Sequence, residues 1–387
     1  MISAQASLAW LLASATSSFG AMFDPYYANM TWQPPRTLSN WANLTVATPS
    51  GTFIGMLNDT DPDVRHFLRV PYAQFVSGTA SLWNMYQPPN TVINIGEHTN
   101  AGAIAWSTAE DCLSLGIWTP SYANETSKLP VAVCVTGGGG LTGGINIASQ
   151  LPTNWVSRSQ EHIVVTMNYR VGILGNPESR AVDETSLTLL DVRAAVEWVS
   201  ENIELFGGDE DNIMVRRLVS NLVAKSPAII SNAATEIPTE GNLTGSISAA
   251  QSWSCYAYRD SFLRQSFGLD TYRYIYAGNF SNISPVPWLG AFHWSDVLMI
   301  FGTYMLDVDE IPQLEIDTSK AMQDFLLAFA RDAASVSETR GWPRFDANVT
   351  DGGQILEFGN GVPVKNVTGD YVDWSCWDAS ATNPYYG

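Results

Sequence analysis

Positive charge is what this 387-residue chain has least of: 19 Lys and Arg stand against 38 Asp and Glu, for a formal net charge of −19. A chain so acidic is repelled by polyanions, which excludes nucleic acid and anionic membrane surfaces as expected partners. Histidine and cysteine are also scarce, with four of each. His66, His98, His162 and His293 do not cluster, and Cys112, Cys134, Cys255 and Cys376 have no C-x-x-C spacing. Neither a zinc site nor a thioredoxin-like motif is therefore expected, and we anticipate no metal and no cofactor. Beyond the N-terminus, no apolar run approaches the roughly 18 residues of a membrane span. Internal repeats, low-complexity tracts and an interdomain linker are missing too.

What is present is an ordinary globular composition, 45% hydrophobic and 15% charged, in a chain long enough for one large α/β core or two ordinary domains. The start, Met1-Ile-Ser-Ala-Gln-Ala-Ser-Leu-Ala-Trp-Leu-Leu-Ala, has an apolar stretch of signal-peptide length followed by small residues around Phe19-Gly20-Ala21, but no basic n-region. Residues 1–21 read as a cleaved signal peptide, against the alternative of an unprocessed or buried segment, and 22–387 as one domain. Asn-x-Ser/Thr glycosylation acceptors occur at Asn29, Asn43, Asn58, Asn124, Asn242, Asn279, Asn282, Asn348 and Asn366. Each alone is a weak signal. Their density, the signal-like start and the acidic balance point to a secreted protein.

Strand-like apolar runs alternate with helical patterns in the first half, as in a mostly parallel sheet covered by helices. Strands are expected at Leu115–Thr119, Val131–Val135, Ile163–Asn168 and Ile213–Val215, with later ones at Ala228–Ser231, Tyr272–Ala277 and, as an edge or late strand, Ile355–Phe358. Leu187, Leu190, Ala194, Trp198, Val199 and Ile203 share helical spacing, with Ser186 as a possible N-cap and Gly207-Gly208 beyond the end. Met322, Phe325, Leu326, Phe329 and Ala330 give Ser319–Ala333 one apolar helical face, read as plain core packing.

Val131-Ala-Val-Cys-Val-Thr-Gly-Gly-Gly-Gly-Leu places a glycine run directly after a buried strand, where backbone N–H groups can point into a cleft without Cβ obstruction. Taken alone this is a flexible turn. Around it, in order, stand Phe67-Leu-Arg-Val-Pro-Tyr-Ala, Glu110-Asp111-Cys112-Leu113, Asn168-Tyr-Arg-Val-Gly-Ile-Leu-Gly, Leu189-Leu-Asp-Val-Arg-Ala-Ala-Val-Glu-Trp-Val and Phe206-Gly-Gly-Asp-Glu-Asp-Asn-Ile. Tyr272-Arg-Tyr, Gly290-Ala-Phe-His293 and Phe301-Gly302 follow. From about Asn43 onward the chain resembles the type-B carboxylesterase and cholinesterase-like branch of the α/β-hydrolase fold. The resemblance implies a mostly parallel central sheet flanked by helices and a carboxylic ester as substrate. It also implies Gly138 and Gly139 as oxyanion-hole glycines, Glu236 as triad acid and His293 as triad base. For the acid, Glu240-Gly241 is a competing match; Glu236 is preferred for its distance from the Pro227-Ala-Ile-Ile strand. Thr136 stands where many members have His or Gln, and Gly140 or Leu141 where the family has an aromatic. The same resemblance implies a Cys255–Cys376 disulfide, with Cys112 and Cys134 left as thiols.

One departure outweighs these. After Asp211-Asn-Ile-Met-Val the family enters a Gly-x-Ser-x-Gly elbow that exposes the catalytic serine above the sheet. This chain reads Arg216-Arg-Leu-Val-Ser-Asn-Leu-Val-Ala-Lys instead, and Gly-x-Ser-x-Gly occurs nowhere in it. The elbow, its helix and a stretch beyond are missing as a block, so the fold is expected to be internally truncated, with apolar surface on a central strand left uncovered. Ser220, the nearest serine, lacks both flanking glycines and follows what reads as a helix-forming run, so it is not taken as a replacement. Three functions stay open: a secreted esterase or lipase whose sequence here is incomplete, a non-catalytic hydrolase-fold protein that binds a ligand or partner, and a non-functional splice or gene-model product.

Overall fold

The computed structural model describes residues 44–73, 113–137, 144–145, 147–177, 186–217, 221–224, 229–233, 243–284, 290–292, 294–305, 310–349, 352–373 and 376, with backbone alone over 216–254. Strands β1 (Thr45–Thr48) and β2 (Gly51–Ile54) form a hairpin. The remaining strands are β3 (Met56–Asn58), β4 (Asp61–Pro71), β5 (Ser114–Pro120), β6 (Leu129–Val135), β7 (Ile163–Met167), β8 (Gly208–Arg217), β9 (Asn221–Ala224), β10 (Ile229–Ala233), β11 (Thr271–Tyr276), β12 (Gln354–Phe358) and β13 (Val364–Thr368). They form one sheet in the order β13-β12-β11-β10-β9-β8-β6-β7-β5-β4-β3. The helices are α1 (Thr153–Ser159), α2 (Gly172–Gly175), α3 (Leu187–Asn202), α4 (Leu243–Ser266), α5 (Ser295–Phe301), α6 (Gln313–Arg331), α7 (Val336–Arg340) and α8 (Gly369–Asp373).

The core follows from alternation along strands buried on both faces. In β6, Val131, Val133 and Val135 join the layer formed with α3, while Ala132 and Cys134 join the opposite layer with α1, α5 and α6. Each fully buried Val or Ile contributes about 1.5–3 kcal/mol, and Val131, Val133, Ile163, Val164 and Val165 are all 0% exposed.

The sheet is mixed rather than mostly parallel. Parallel pairing is confined to β7-β6-β8 and β10-β11-β12, and the pairings around β9 and at both edges are antiparallel. The physical reason at β9 is chain length. A parallel crossover from β8 to β10 needs a dozen or more residues for its helix, and residues 218–228 are too few, so the chain returns antiparallel as β9. The run expected to be helical around Arg216 and Leu222 is strand on this account. The uncovered central strand is not seen in the described side chains of β8: Ile213 is buried in the α3 layer and Met214 in the α6 layer.

Helix α3 turns a different face inward from the one its leucines suggest. Leu189 and Leu190 are exposed, and the buried stripe is Asp191, Ala195, Trp198, Val199 and Asn202. Asp191 is drawn in by Arg170, which it meets through Nε at 2.8 Å, Nη2 at 2.5 Å and the backbone N–H at 2.9 Å. Ser186 precedes the helix without a side-chain capping bond, and Gly207, at φ 99°, ends the turn that follows it. At the far end of the sheet, Cys255 in α4 is bonded to Cys376, closing a separation of 121 residues. Cys134 is buried in β6 and takes no part in that bridge; Cys112 lies outside the described residues.

Candidate active site

Six strands, β6, β7, β8, β10, β11 and β12, run in the same direction, because β9 reverses the chain twice. Their C-terminal ends share one edge of the sheet, where open α/β folds carry their ligand crevice. Three segments singled out in the sequence leave from this edge: the glycine run after β6, the Glu236 segment after β10 and the His293 segment after β11. Gly138, Gly139, Glu236, His293 and Ser220 themselves all lie outside the described residues, as does Glu240. What the structure describes is the scaffold on either side of them.

That scaffold is most developed around the glycine run. Gln150, buried, accepts the Gly137 N–H at 3.0 Å. The Tyr169 hydroxyl donates to the Thr136 carbonyl at 2.6 Å, and Thr136 Oγ1 donates to the Met167 carbonyl at 2.9 Å. On the far side, Asn168 Oδ1 accepts the Ile145 N–H at 3.0 Å, and Tyr72 donates to the Asn168 carbonyl at 2.7 Å. Gly137 and Ile145, the described residues bonded on either side of 138–143, are thus held by buried polar groups. Sequence reading quoted Asn168-Tyr-Arg as a signature without assigning it work, and it missed Gln150. Its signal was weak: one glutamine ahead of a helix, with nothing in its spacing to tie it to Gly137.

The His293 segment is held differently. Ser295 Oγ donates to the Phe292 carbonyl at 2.7 Å and accepts the Phe292 N–H at 3.1 Å, a clamp around the histidine position. Trp294, immediately after it, has φ 86°, a left-handed conformation that costs a bulky residue about 1–3 kcal/mol and persists only where the surroundings over-determine it. Beneath, the Tyr274 hydroxyl donates to Asp296 at 2.9 Å. Burial, with the carboxylates of Glu315 and Asp296 adding to it, pushes the Tyr276 hydroxyl far above its ordinary range, so it stays protonated. Burial likewise raises Glu315 from 4.5 to about 7, against a hydrogen bond from Asn282. Among the described residues no group of three or more His, Cys, Asp or Glu is placed to hold a metal ion. No described helix is long and apolar enough to cross a membrane.

β10 and β11 stand on the far side of β9 from β6. Between β6 and β10 lie β8 and β9, and each strand adds about 4.8 Å.

Comparison with known proteins matches residues 42–216 to the carboxylesterase family model. The match ends at Arg216, inside β8 and at the point where the sequence departs from the family. With the relatives that follow, this match supports a relationship to the carboxylesterases. It is 28% identical over 480 residues to chlorogenic acid esterase of Aspergillus niger, covering 86% of this chain and 93% of that protein. It is 26% identical to secreted lipase 5 of Gibberella zeae, covering 79% and 88%. An inactive carboxylesterase-like protein of Byssochlamys spectabilis is 32% identical over 190 residues, 42% of this chain and 31% of that one. The solved PNB esterase structure superposes with a TM-score of 0.59 at 18% identity, covering 86% of this chain and 99% of that one, and supports the α/β-hydrolase fold. The first alignment runs over more positions than the chain has residues, 480 against 387, so this chain lacks residues its relative possesses.

Proposed function

We propose that this secreted carboxylesterase-family chain, as it stands, does not turn over esters. The observation that carries the reading is the coincidence at Arg216. There the family match stops, β8 runs straight on to Arg217, and β9 returns antiparallel in place of an elbow and crossover helix. An ester hydrolase of this kind needs a serine on the strand-to-helix turn, an imidazole to take its proton, a carboxylate to fix the imidazole, and N–H donors for the oxyanion. In this reading Glu236, His293, Gly138 and Gly139 keep the last three roles, and the first is vacant. In a comparable triad, loss of the serine alone costs about 10⁶ in kcat. The deletion also removes the donor that follows the serine, a further loss of roughly 10² to 10³. β9 sets β10 and β11 outward from β8 by about one strand width, so in this reading proximity is lost as well.

The test is hydrolysis of a short-chain nitrophenyl ester by the purified chain beside its His293→Ala variant. We expect equal, non-saturating background from both. Saturable activity that His293→Ala abolishes would overturn the reading.

One observation favours a second reading, in which a longer form of the protein is the enzyme. Gln150, Tyr169 and Asn168 hold the ends of the glycine run in an arrangement for which a chain without a nucleophile has no use. An in-frame Gly-x-Ser-x-Gly segment in the encoding DNA between the codons for Val215 and Arg216 would support it, and its substrate would be a small carboxylic ester. Secretion is supported by the relatives' character and by the acceptor-rich sequence, and the signal peptide over residues 1–21 belongs to the same proposal.

A further inference from the structure

Along the last turns of α4 the outward face is apolar. Tyr256, Phe262 and Leu263 are each more than half exposed, and Phe267, in the turn that ends the helix, is 73% exposed. That turn is formed by the Phe267 N–H donating to the Arg264 carbonyl at 3.0 Å and the Gly268 N–H donating to the Gln265 carbonyl at 2.8 Å. At 3.6 residues per turn, Cys255, Tyr256, Phe262 and Leu263 fall within an arc of about 120°. Ala257 and Ser261 are buried on the opposite side. Elsewhere among the described residues, exposed large hydrophobics come singly in the sequence or as one adjacent pair, Leu189 and Leu190. A contiguous apolar stripe of this kind marks a surface that something covers.

The disulfide points to what covers it. Cys376 is bonded to Cys255 with the two Cα atoms 5.3 Å apart, and α8, just before Cys376, packs against α4. The chain therefore leaves Cys376 beside Tyr256, at one end of the stripe. Residues 377–387 lie outside the described residues and read Trp-Asp-Ala-Ser-Ala-Thr-Asn-Pro-Tyr-Tyr-Gly. Trp377, Tyr385 and Tyr386 offer large apolar area, and Asp378 is the one charge among them. A segment of that length reaches up to about 36 Å when extended, whereas the stripe from Tyr256 to Phe267 is about 17 Å long.

We propose that the segment 377–387 is the cover: tethered through Cys255–Cys376, it lays its aromatic side chains on the α4 stripe. The tether makes this association intramolecular, at an effective concentration on the order of a millimolar, so weak apolar contacts are enough. A second copy of the chain has no such advantage. It brings a net charge of −19 against another −19, a repulsion that a stripe of four apolar side chains has to overcome without a tether.

The experiment uses the full chain with its disulfide intact and has two arms. In the first, the Phe267→p-benzoylphenylalanine variant is irradiated in dilute solution and its adducts are mapped by mass spectrometry. The adduct is expected within one chain, on residues 377–387. Adducts joining two chains assign the stripe to a second copy and overturn the proposal; adducts elsewhere in the chain, or none, overturn it as well. In the second arm, Leu263→Ser with Phe267→Ser is combined with Trp377→Ser, Tyr385→Ser and Tyr386→Ser in a cycle read by unfolding midpoint. With residues 377–387 unchanged, the stripe substitutions are expected to lower the midpoint by about 2 °C. With the aromatic residues of that segment replaced, they are expected to lower it by less than half as much. Equal losses in the two backgrounds, zero included, overturn the proposal.

Discussion

Replacing Asp373 tests how the C-terminal part of the fold is held. Asp373 and Arg273 are both 0% exposed and meet through two parallel bonds, 2.6 and 2.8 Å. The guanidinium lies 5.8 and 5.7 Å from the rings of Tyr258 and Phe345. The pair ties β11, whose C-terminal end leads to the His293 segment, to α8. Removing one partner of a buried pair costs about 3–5 kcal/mol, because the other charge is left unpaired. With an unfolding entropy of about 2.1 cal/mol/K per residue, this chain loses about 1 °C of midpoint per kcal/mol, so Asp373→Ala should fall by about 4 °C. Arg273→Met with Asp373→Leu removes both charges and should recover at least half of that loss. Scanning fluorimetry of wild type, Arg273→Met, Asp373→Leu and the double variant gives the cycle, with Asp373→Ala measured beside them. An Asp373→Ala midpoint within about 1 °C of wild type, or strictly additive losses in the double variant, would refute the argument.

Other outcomes follow from the same structure. Glu315 has a folded pKa of about 7 against an ordinary 4.5, because it is buried. Its contribution is therefore fully present below about pH 4.5 and declines as pH rises to about 7; Glu315→Gln should flatten that decline in midpoints measured across the range. His66 and His162, lowered by burial to about 4 and about 3, act in the opposite sense. Their contribution is present above pH 6.5 and is lost as pH falls toward those values, so His162→Gln should reduce the steepness of acid unfolding. Reducing Cys255–Cys376 frees a loop of 121 residues and in the chain-entropy model costs about 5 kcal/mol; Cys255→Ser with Cys376→Ser should lower the urea midpoint and steepen its slope, because the unlinked unfolded chain exposes more surface.

The parts of the fold that were legible are those where periodicity and chemistry agree. β5, β6 and β7 fall within two residues of the expected spans, since each centres on a short, buried and mostly apolar run. Helix α6 was seen only in part. It begins at Gln313, six residues before the expected Ser319, and the buried face of those first turns is polar, Glu315 and Thr318, so no apolar period announces it. Helix α4 went unread because Leu243–Ser266 is rich in serine and has no apolar stripe. β9 could not be read from propensity either. It exists because the chain between β8 and β10 is too short for a crossover, which is a fact of topology. The site was legible as motifs and not as a scaffold: the glycine run and the Gly290-Ala-Phe-His293 segment stand out by type, whereas Gln150 and Ser295 matter through bonds that no spacing encodes.

The central claim, that no nucleophile serves this site, is tested most directly by a serine-directed fluorophosphonate probe read by intact mass. The account predicts no stoichiometric adduct on the folded chain. A single adduct, mapped to Ser220 or any other serine and lost in His293→Ala, would contradict it.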